Sequence, residues 1–103
     1  MSLNGRAKNL SEDHKPNLPR ERTRVLKAGG FVQANRVNGM LALSRALGDF
    51  DYKKNPPSLA TSEWYLNFQM VSCYPDVQVQ HITKNVKFLV LACDGIWDVK
   101  TSQ

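Results

Sequence analysis

Long apolar runs are absent from this sequence. The longest, residues 88–93, is far shorter than the roughly 20 residues that a helix needs to span a bilayer. Near the N-terminus, Lys8 is not followed by the apolar stretch of a secretory signal peptide. The sequence therefore argues against a membrane protein, and we expect no membrane partner. No internal repeat is visible.

Cysteine is also scarce, with two residues in 103. Cys73 and Cys93 lack the close spacing of a structural zinc site, and two cysteines this far apart do not make a disulfide framework. We expect each to be a small core residue with a reduced thiol, as free cysteines often are. Reduced thiols favour a cytoplasmic or nuclear location.

An acidic pair follows the most apolar segment, residues 89–93. Asp94-Gly95 comes directly after this strand-like run, and Asp98 lies four residues further on. A carboxylate at the edge of a sheet is a suitable ligand for a hard cation. The same dipeptide also favours an ordinary turn, so the segment alone leaves both interpretations open.

Turn and helix signals define the first half of the chain. Pro19 fits the first turn of a short helix that Gly29-Gly30 would end. Asn38-Gly39, between apolar segments, predicts a hairpin over residues 31–44, since both central residues of a type I′ turn need positive φ. Residues 69–72 and 77–82 have strand character, and the alternation of the second predicts one buried face.

Four motifs, in order and at compatible separations, resemble the metal-dependent protein serine/threonine phosphatases of the PP2C (PPM) family. They are SEDHKP at residues 11–16, AGGFV at 28–32, RVNGMLALSRALGDF at 36–50 and LVLACDGIWD at 89–98. The resemblance runs from about Gly5 to the end of the chain. It covers less than half of the family's catalytic domain.

The fold implied by this resemblance is α+β, an α-β-β-α sandwich in the parent family. Residues 1–103 would form a central to C-terminal part of that domain, incomplete at both ends, mainly antiparallel β with one flap-like helix. Residues 16–35 would be the flap-like region beside the active site. We also expect residues 5–7 to pair with a strand preceding Met1, and a helix to begin at Asp98.

The resemblance further implies hydrolysis of phosphoserine and phosphothreonine in proteins by a centre of two Mg²⁺ or Mn²⁺ ions. Matched residue by residue, Asp94 would ligate a core metal, Asp98 a weaker outer metal, and Arg36 would bind substrate near the cleft. The motifs that hold the other family ligands have no counterpart in the sequence. The 103 residues alone are therefore expected to lack a complete catalytic site.

A second interpretation belongs to another class: a non-catalytic, truncated phosphatase-like interaction module. It would bind a partner through the flap-like helix or the aromatic insertion at Trp64-Tyr65. Its oligomeric state is left open by the sequence.

Positive charge is concentrated in residues 1–54, which hold 11 basic and 5 acidic residues, against 3 and 4 in residues 55–103. Arg20, Arg22, Arg24 and Lys27 belong to the predicted helix. No zinc-finger, helix-turn-helix or RNA-binding signature accompanies them, so we expect no nucleic-acid partner. We interpret them as a solvated face that attracts phosphorylated protein substrates.

Overall fold

The computed structural model describes residues 1–54 and 68–102, so the Trp64-Tyr65 insertion lies outside the described residues. The chain divides into two compact units, one made of Met1–Glu12 with Val77–Gln103 and the other of Asp13–Asp76. Each contains a two-stranded antiparallel sheet and a helix. The described part of the chain is thus α+β, as the sequence predicts, and none of its helices is long and apolar enough to cross a membrane.

The helix of the Asp13–Asp76 unit, α1, spans Pro19–Lys27. Leu18 is extended and offers no side-chain cap, but Pro19 begins the helix with the φ that its ring imposes. Gly29, at φ 82°, ends it, and the Gly30 N–H donates to the carbonyl of Val25 at 3.0 Å. The predicted helix and both of its boundary signals are confirmed.

A short hairpin follows, in which β3 (Val32–Gln33) pairs with β4 (Arg36–Val37). Its turn is formed by Ala34 and Asn35, at φ 48° and 58°. The prediction that Asn38-Gly39 would be the turn of a hairpin over residues 31–44 is therefore wrong in register. Asn38-Gly39 does have the positive φ expected of it, but it lies in a tight loop that returns the chain from Val37 to Leu41.

The side chain of Asn38 helps to explain this register. The Phe31 N–H donates to Asn38 Oδ1 at 3.1 Å, while the Asn38 N–H donates to the Phe31 carbonyl at 2.8 Å. Asn38 thus closes the end of the β3–β4 ladder with both its backbone and its amide. The sequence signal identified a residue that accepts positive φ, but a local signal cannot specify which strands pair.

Three fully buried valines, Val25, Val37 and Val71, form the apolar core of this unit. They come from α1, β4 and the segment after the undescribed residues, and Val32, Leu41, Ala46, Tyr52 and Met70 pack around them. Residues 69–72, predicted as a strand, make a single parallel bridge between Ser72 and Arg45. A 3-10 helix, Phe50–Tyr52, lies near the end of the first described range, residues 1–54.

In the other unit, β1 (Ser2–Leu3) and β2 (Arg6–Ala7) form an antiparallel hairpin around Asn4-Gly5. Arg6 and Ala7 therefore pair with Leu3 and Ser2 within the chain, whereas we expected their partner strand to precede Met1. Val86 lies on the other side of β1, where it makes an antiparallel bridge with Leu3. Two hydrogen bonds flank that bridge, from the Ser2 N–H to the Phe88 carbonyl at 2.9 Å and from the Lys87 N–H to the Ser2 carbonyl at 3.1 Å.

The alternating segment 77–82 is not a strand among the described residues. Val77 and Val79, which alternation places on the predicted buried face, are each more than 80% exposed, and so is Ile82 at the end of the segment. Alternation specifies two faces, but a strand forms only where a neighbour pairs with its N–H and carbonyl groups. Within the described residues, no neighbour pairs with this segment.

The two cysteines contradict their predicted burial as well, since Cys73 and Cys93 are both exposed. The apolar run before Cys93 is half-exposed or more at Leu89, Val90 and Leu91. An apolar run is buried only when another layer packs on it, and the described residues supply none.

The valine core should respond sharply to truncation. Val25→Ala should lower the free energy of unfolding by about 1.5 kcal/mol, because the lost methyl groups and cavity outweigh the better helix propensity of alanine. Urea denaturation of the chain measures this. The matched control is Leu26→Ala, one residue along α1 at 47% exposure, which should cost clearly less. Equal losses from the two substitutions would contradict the assignment of this core.

Candidate functional site

The two acidic residues predicted as metal ligands lie on a short helix, α2 (Asp94–Trp97), and at its end. Asp94 is the first residue of α2, and Asp98 is its C-cap, with the Asp98 N–H donating to the Asp94 carbonyl at 2.8 Å. The helix begins four residues earlier than predicted, since Asp94-Gly95 forms its first turn. The indole Nε1 of Trp97 donates to the Ala92 carbonyl at 2.7 Å and fastens α2 to the preceding segment.

Both carboxylates are exposed, and neither has a hydrogen-bond or ion-pair partner within the described residues. No group of three or more His, Cys, Asp or Glu side chains that could hold a metal ion occurs among those residues. A hard divalent cation takes six or more oxygen ligands, so two carboxylates leave most positions to water. The described residues therefore do not fit a complete metal centre, although Asp94 and Asp98 are free to contribute to one.

Arg36, the predicted substrate-binding residue, lies in the Asp13–Asp76 unit on β4. Its Nη1 donates to the Met40 carbonyl at 2.6 Å, across the tight loop at Asn38-Gly39. The guanidinium is exposed and is oriented by this bond. The structure thus shows an arginine held at the outer end of the hairpin, with donors left for a ligand.

A buried charge cluster lies between α1 and the chain that follows the hairpin. Its centre is Glu21, which is 2% exposed. Arg24 Nη1 and Arg45 Nη2 each approach a Glu21 carboxylate oxygen at 2.5 Å, and Arg45 Nε adds contacts of 3.1 and 3.2 Å. Ser44 Oγ lies 2.8 Å from Glu21 Oε2 and 2.6 Å from the His14 carbonyl. We call Glu21, Arg24, Ser44 and Arg45 the Glu21 cluster.

The two arginines also bind backbone carbonyls. Arg24 donates to the carbonyls of Gln69 at 3.1 Å, Met70 at 3.5 Å and Ser44. Arg45 Nη1 donates to the Tyr74 carbonyl at 3.0 Å. The cluster therefore connects α1 to residues 44–45 and to residues 69–74, segments far apart in the sequence.

Asp76 extends this network at the surface. It accepts from Arg45 Nη1 at 2.9 Å and from Arg20 Nη1 at 3.3 Å, and its Oδ2 lies 3.0 Å from His14 Nε2. The hydrogen bonds from His14 and then Arg45 hold the pKa of Asp76 well below its usual range. An ionised carboxylate only accepts, so the His14 ring nitrogen carries the hydrogen in this contact.

Opposing effects act on the pKa of Glu21. Burial raises it, because a charged carboxylate is poorly solvated there, whereas hydrogen bonds from Arg45, Ser44 and Arg24 lower it. The hydrogen bonds dominate, and the pKa falls from 4.5 to about 2. The hydrogen bond to Glu21 likewise raises the pKa of Arg45. Glu21 is therefore ionised at neutral pH despite its burial.

The Glu21 cluster was not predicted from the sequence. Arg24, interpreted as part of a solvated face, is only 9% exposed. The one local signal was the spacing of Glu21 and Arg24, three residues apart on a helix, which favours contact. Nothing local connects either residue to Arg45 or Asp76.

Comparison with known proteins decides the family. The family model described as Protein phosphatase 2C matches residues 1–103. The chain belongs to the protein phosphatase 2C family. The match is an independent confirmation of the resemblance that the motifs indicated.

Relatives of this protein phosphatase 2C chain are much longer than it. It is 52% identical over 103 residues to Protein phosphatase 2C homolog 2 of Hypocrea jecorina, covering 100% of this chain and 22% of that protein. It is 54% identical over 103 residues to Protein phosphatase 2C homolog 3 of Schizosaccharomyces pombe, covering 100% of this chain and 23% of that protein. The chain thus spans about a quarter or less of these relatives.

A solved structure agrees with the assignment to protein phosphatase 2C. A phosphatase from a pathogenic strain of Toxoplasma gondii matches with a TM-score of 0.56 and 49% sequence identity. The match covers 67% of this chain and 20% of that one. The family model, the relatives and this solved structure are all described as phosphatases, which agrees with the predicted class of enzyme.

The depressed pKa of Glu21 predicts acid sensitivity. Its contribution is fully present above the unfolded-state pKa of 4.5 and is lost as the pH falls toward about 2, because over that range the unfolded chain takes up a proton that the folded state does not bind. The shift corresponds to roughly 3 kcal/mol. Urea denaturation between pH 7 and 2 should show stability falling below pH 4.5.

The control for this experiment is Glu21→Gln. At pH 7 it should be markedly less stable, because two buried guanidinium groups lose their counter-charge. Below pH 4.5 its stability should fall less steeply, with Asp76 accounting for the remaining slope. A variant with an unchanged pH profile would show that Glu21 is not the titrating group.

Proposed function

We propose that this chain is the part of a protein phosphatase 2C that supplies Asp94 and Asp98 to the metal centre and Arg36 to the substrate cleft. The parent reaction is hydrolysis of phosphoserine and phosphothreonine in proteins. The observation that supports this most strongly is the family match over the entire chain together with exposed, unpaired carboxylates at Asp94 and Asp98. When bound, Mg²⁺ or Mn²⁺ would activate water and stabilise charge on the phosphoryl group.

Each residue has a role that its surroundings allow. Asp94 lies on the first turn of α2, whose position is fastened by the Trp97 indole, so its carboxylate is presented without a competing cation. Asp98, the C-cap of α2, would serve the outer metal. Arg36 keeps guanidinium donors available for a phosphorylated side chain while one donor binds the Met40 carbonyl.

The range 16–35 is proposed as the flap-like region of the enzyme. It holds α1 and β3, and the Glu21 cluster fixes α1 to the rest of its unit. Such a rigid element beside a cleft would select substrates by shape and charge. We further propose a cytoplasmic or nuclear location, based on the lack of a disulfide framework in the sequence.

The second candidate, a non-catalytic interaction module, is favoured by one observation. The described residues contain no group of three possible metal-binding side chains, so this chain taken by itself has few ligands to offer. The helix α1 remains the proposed contact surface for a partner in that case. The two candidates make different predictions for the 103 residues placed inside a full-length enzyme: the first predicts that they support catalysis, and the second predicts that they do not.

Metal binding by the chain alone tests whether its metal centre is incomplete. Mn²⁺ titrated into the 103-residue protein in a calorimeter should show only weak binding, because Asp94 and Asp98 supply two carboxylates at most. Asp94→Asn should weaken it further, and Asp51→Asn, at a carboxylate in the other unit, should not. Tight stoichiometric binding that Asp94→Asn abolishes would refute the claim of an incomplete centre.

Catalytic competence is tested in a chimera. The 103 residues would replace the matching segment of the Schizosaccharomyces pombe protein, with which they align without loss of coverage. The chimera should hydrolyse a phosphothreonine peptide with Mn²⁺, and Asp94→Asn should lower kcat by at least about a hundredfold. Asp98→Asn should have a smaller effect at high Mn²⁺, consistent with an outer site.

Two results would contradict the proposal. One is a folded, monodisperse chimera without activity, which would favour the interaction module. The other is an Asp94→Asn chimera that keeps its full activity, which would remove Asp94 from the metal centre. Asp51→Asn is again the matched control.

A further inference from the structure

A cationic cleft of about 170 Å³ opens on the Asp13–Asp76 unit, along one side of α1. Four of its lining residues, Arg20, Thr23, Arg24 and Lys27, occupy positions i, i+3, i+4 and i+7 of α1 and therefore share a face of the helix. The opposite wall comes from the parallel bridge and the segment after it, with Arg45, Ser72 and Tyr74. Arg24 and Arg45 belong to the Glu21 cluster, whereas the other five lining residues are not members of that cluster and have no role in the proposed metal chemistry.

The charges around the cleft do not cancel. Arg20, Arg24, Lys27 and Arg45 line it, whereas the carboxylates in contact with these residues are those of Glu21 and Asp76. The lining therefore has an excess of two positive charges. Lys27, on the last turn of α1, has no hydrogen-bond or ion-pair partner within the described residues.

The buried arginines give the cleft a rigid floor. The side chains of Arg24 and Arg45 are 9% and 7% exposed and are held by Glu21 and by backbone carbonyls. Arg20, at 70% exposure, makes only a 3.3 Å contact with Asp76. Two buried guanidinium groups and two exposed cations, Arg20 and Lys27, thus surround the same small space.

We propose that this cleft binds a phosphoryl group presented on a phosphorylated protein. A dianion matches the excess of two positive charges, and arginine with hydroxyl side chains such as that of Thr23 provides the donors that phosphate oxygens accept. The volume is below the range of about 300–1,000 Å³ that pockets for drug-sized ligands occupy. A single phosphoryl group suits it better than a nucleotide.

A nucleic acid is the less favoured ligand. Backbone recognition depends on neutralising several successive phosphates along a strand. Here the excess charge is gathered at one cleft in the described part of the chain. That the phosphoryl group is attached to a protein rests on the proposed function. That the cleft binds a phosphoryl group rests on the charges and volume of the cleft alone.

The test is a titration of the 103-residue protein with inorganic phosphate in the presence of EDTA, in which binding is monitored by the amide chemical shifts in NMR spectra. Saturable shifts should centre on Thr23 and Lys27, and a phosphoserine peptide should bind where its unphosphorylated counterpart does not. Arg20→Gln with Lys27→Gln should weaken phosphate binding about tenfold or more. The control is Arg22→Gln, because Arg22 is an exposed cation on the same helix that does not line the cleft. This substitution should change the affinity for phosphate less than about twofold.

Several results would overturn the proposal: no saturable shift with phosphate, an equal loss in Arg22→Gln, or tighter binding of single-stranded DNA than of the phosphopeptide. Lys27→Gln alone keeps the test decisive if the double variant fails to fold, because Lys27 makes no bond that folding needs. The EDTA removes any metal, so a negative result here leaves the proposed catalytic role of Asp94 intact. Conversely, an inactive chimera with normal phosphate binding would reject only that role.

Discussion

The buried carboxylate of Glu21 is the interaction on which the Asp13–Asp76 unit depends. Among the described residues of this unit the fully buried apolar core consists of three valines, which is a small core to order segments so far apart in sequence. Glu21 supplies what the core lacks, because Arg24 and Arg45 each bind it and then reach backbone carbonyls on other segments. Burial would normally penalise such a charge, and the surrounding donors offset that penalty.

Ser44 shows how closely this cluster is constrained. Its hydroxyl lies within hydrogen-bond distance of both Glu21 Oε2 and the His14 carbonyl, yet it has one hydrogen to donate. Replacing it would remove this donor, although Glu21 Oε2 would still accept from Arg24 Nη1 and the His14 carbonyl from the Ser44 N–H at 3.1 Å. The expected cost is that of one buried hydrogen bond, about 1 kcal/mol.

Local features of the fold could be predicted from the sequence, and long-range ones could not. Pro19 and Gly29 marked the ends of α1 because each restricts its own backbone. Asn38-Gly39 predicted positive φ correctly but not the pairing of β3 with β4, since register depends on residues elsewhere. The site residues were named from family motifs, and neither periodicity nor composition could have linked Glu21 to Arg45 or to Asp76.

The same distinction applies to the exposed apolar residues. Alternation over residues 77–82 distinguishes two faces of a strand, and whether either face is buried depends on a neighbouring layer. The structure shows these side chains exposed in a chain that spans about a quarter or less of its relatives. Their pattern is understandable as strand sequence whose partners are not among the described residues.

The contact between His14 and Asp76 has a topological consequence. These residues lie at the two ends of the Asp13–Asp76 unit, and their side chains are 3.0 Å apart. An element whose entry and exit touch can be lengthened, shortened or exchanged with little displacement of the chain on either side. The hydrogen bond thus makes this unit a module, in which α1 and its cationic cleft can diverge while the segment that bears Asp94 is left unchanged.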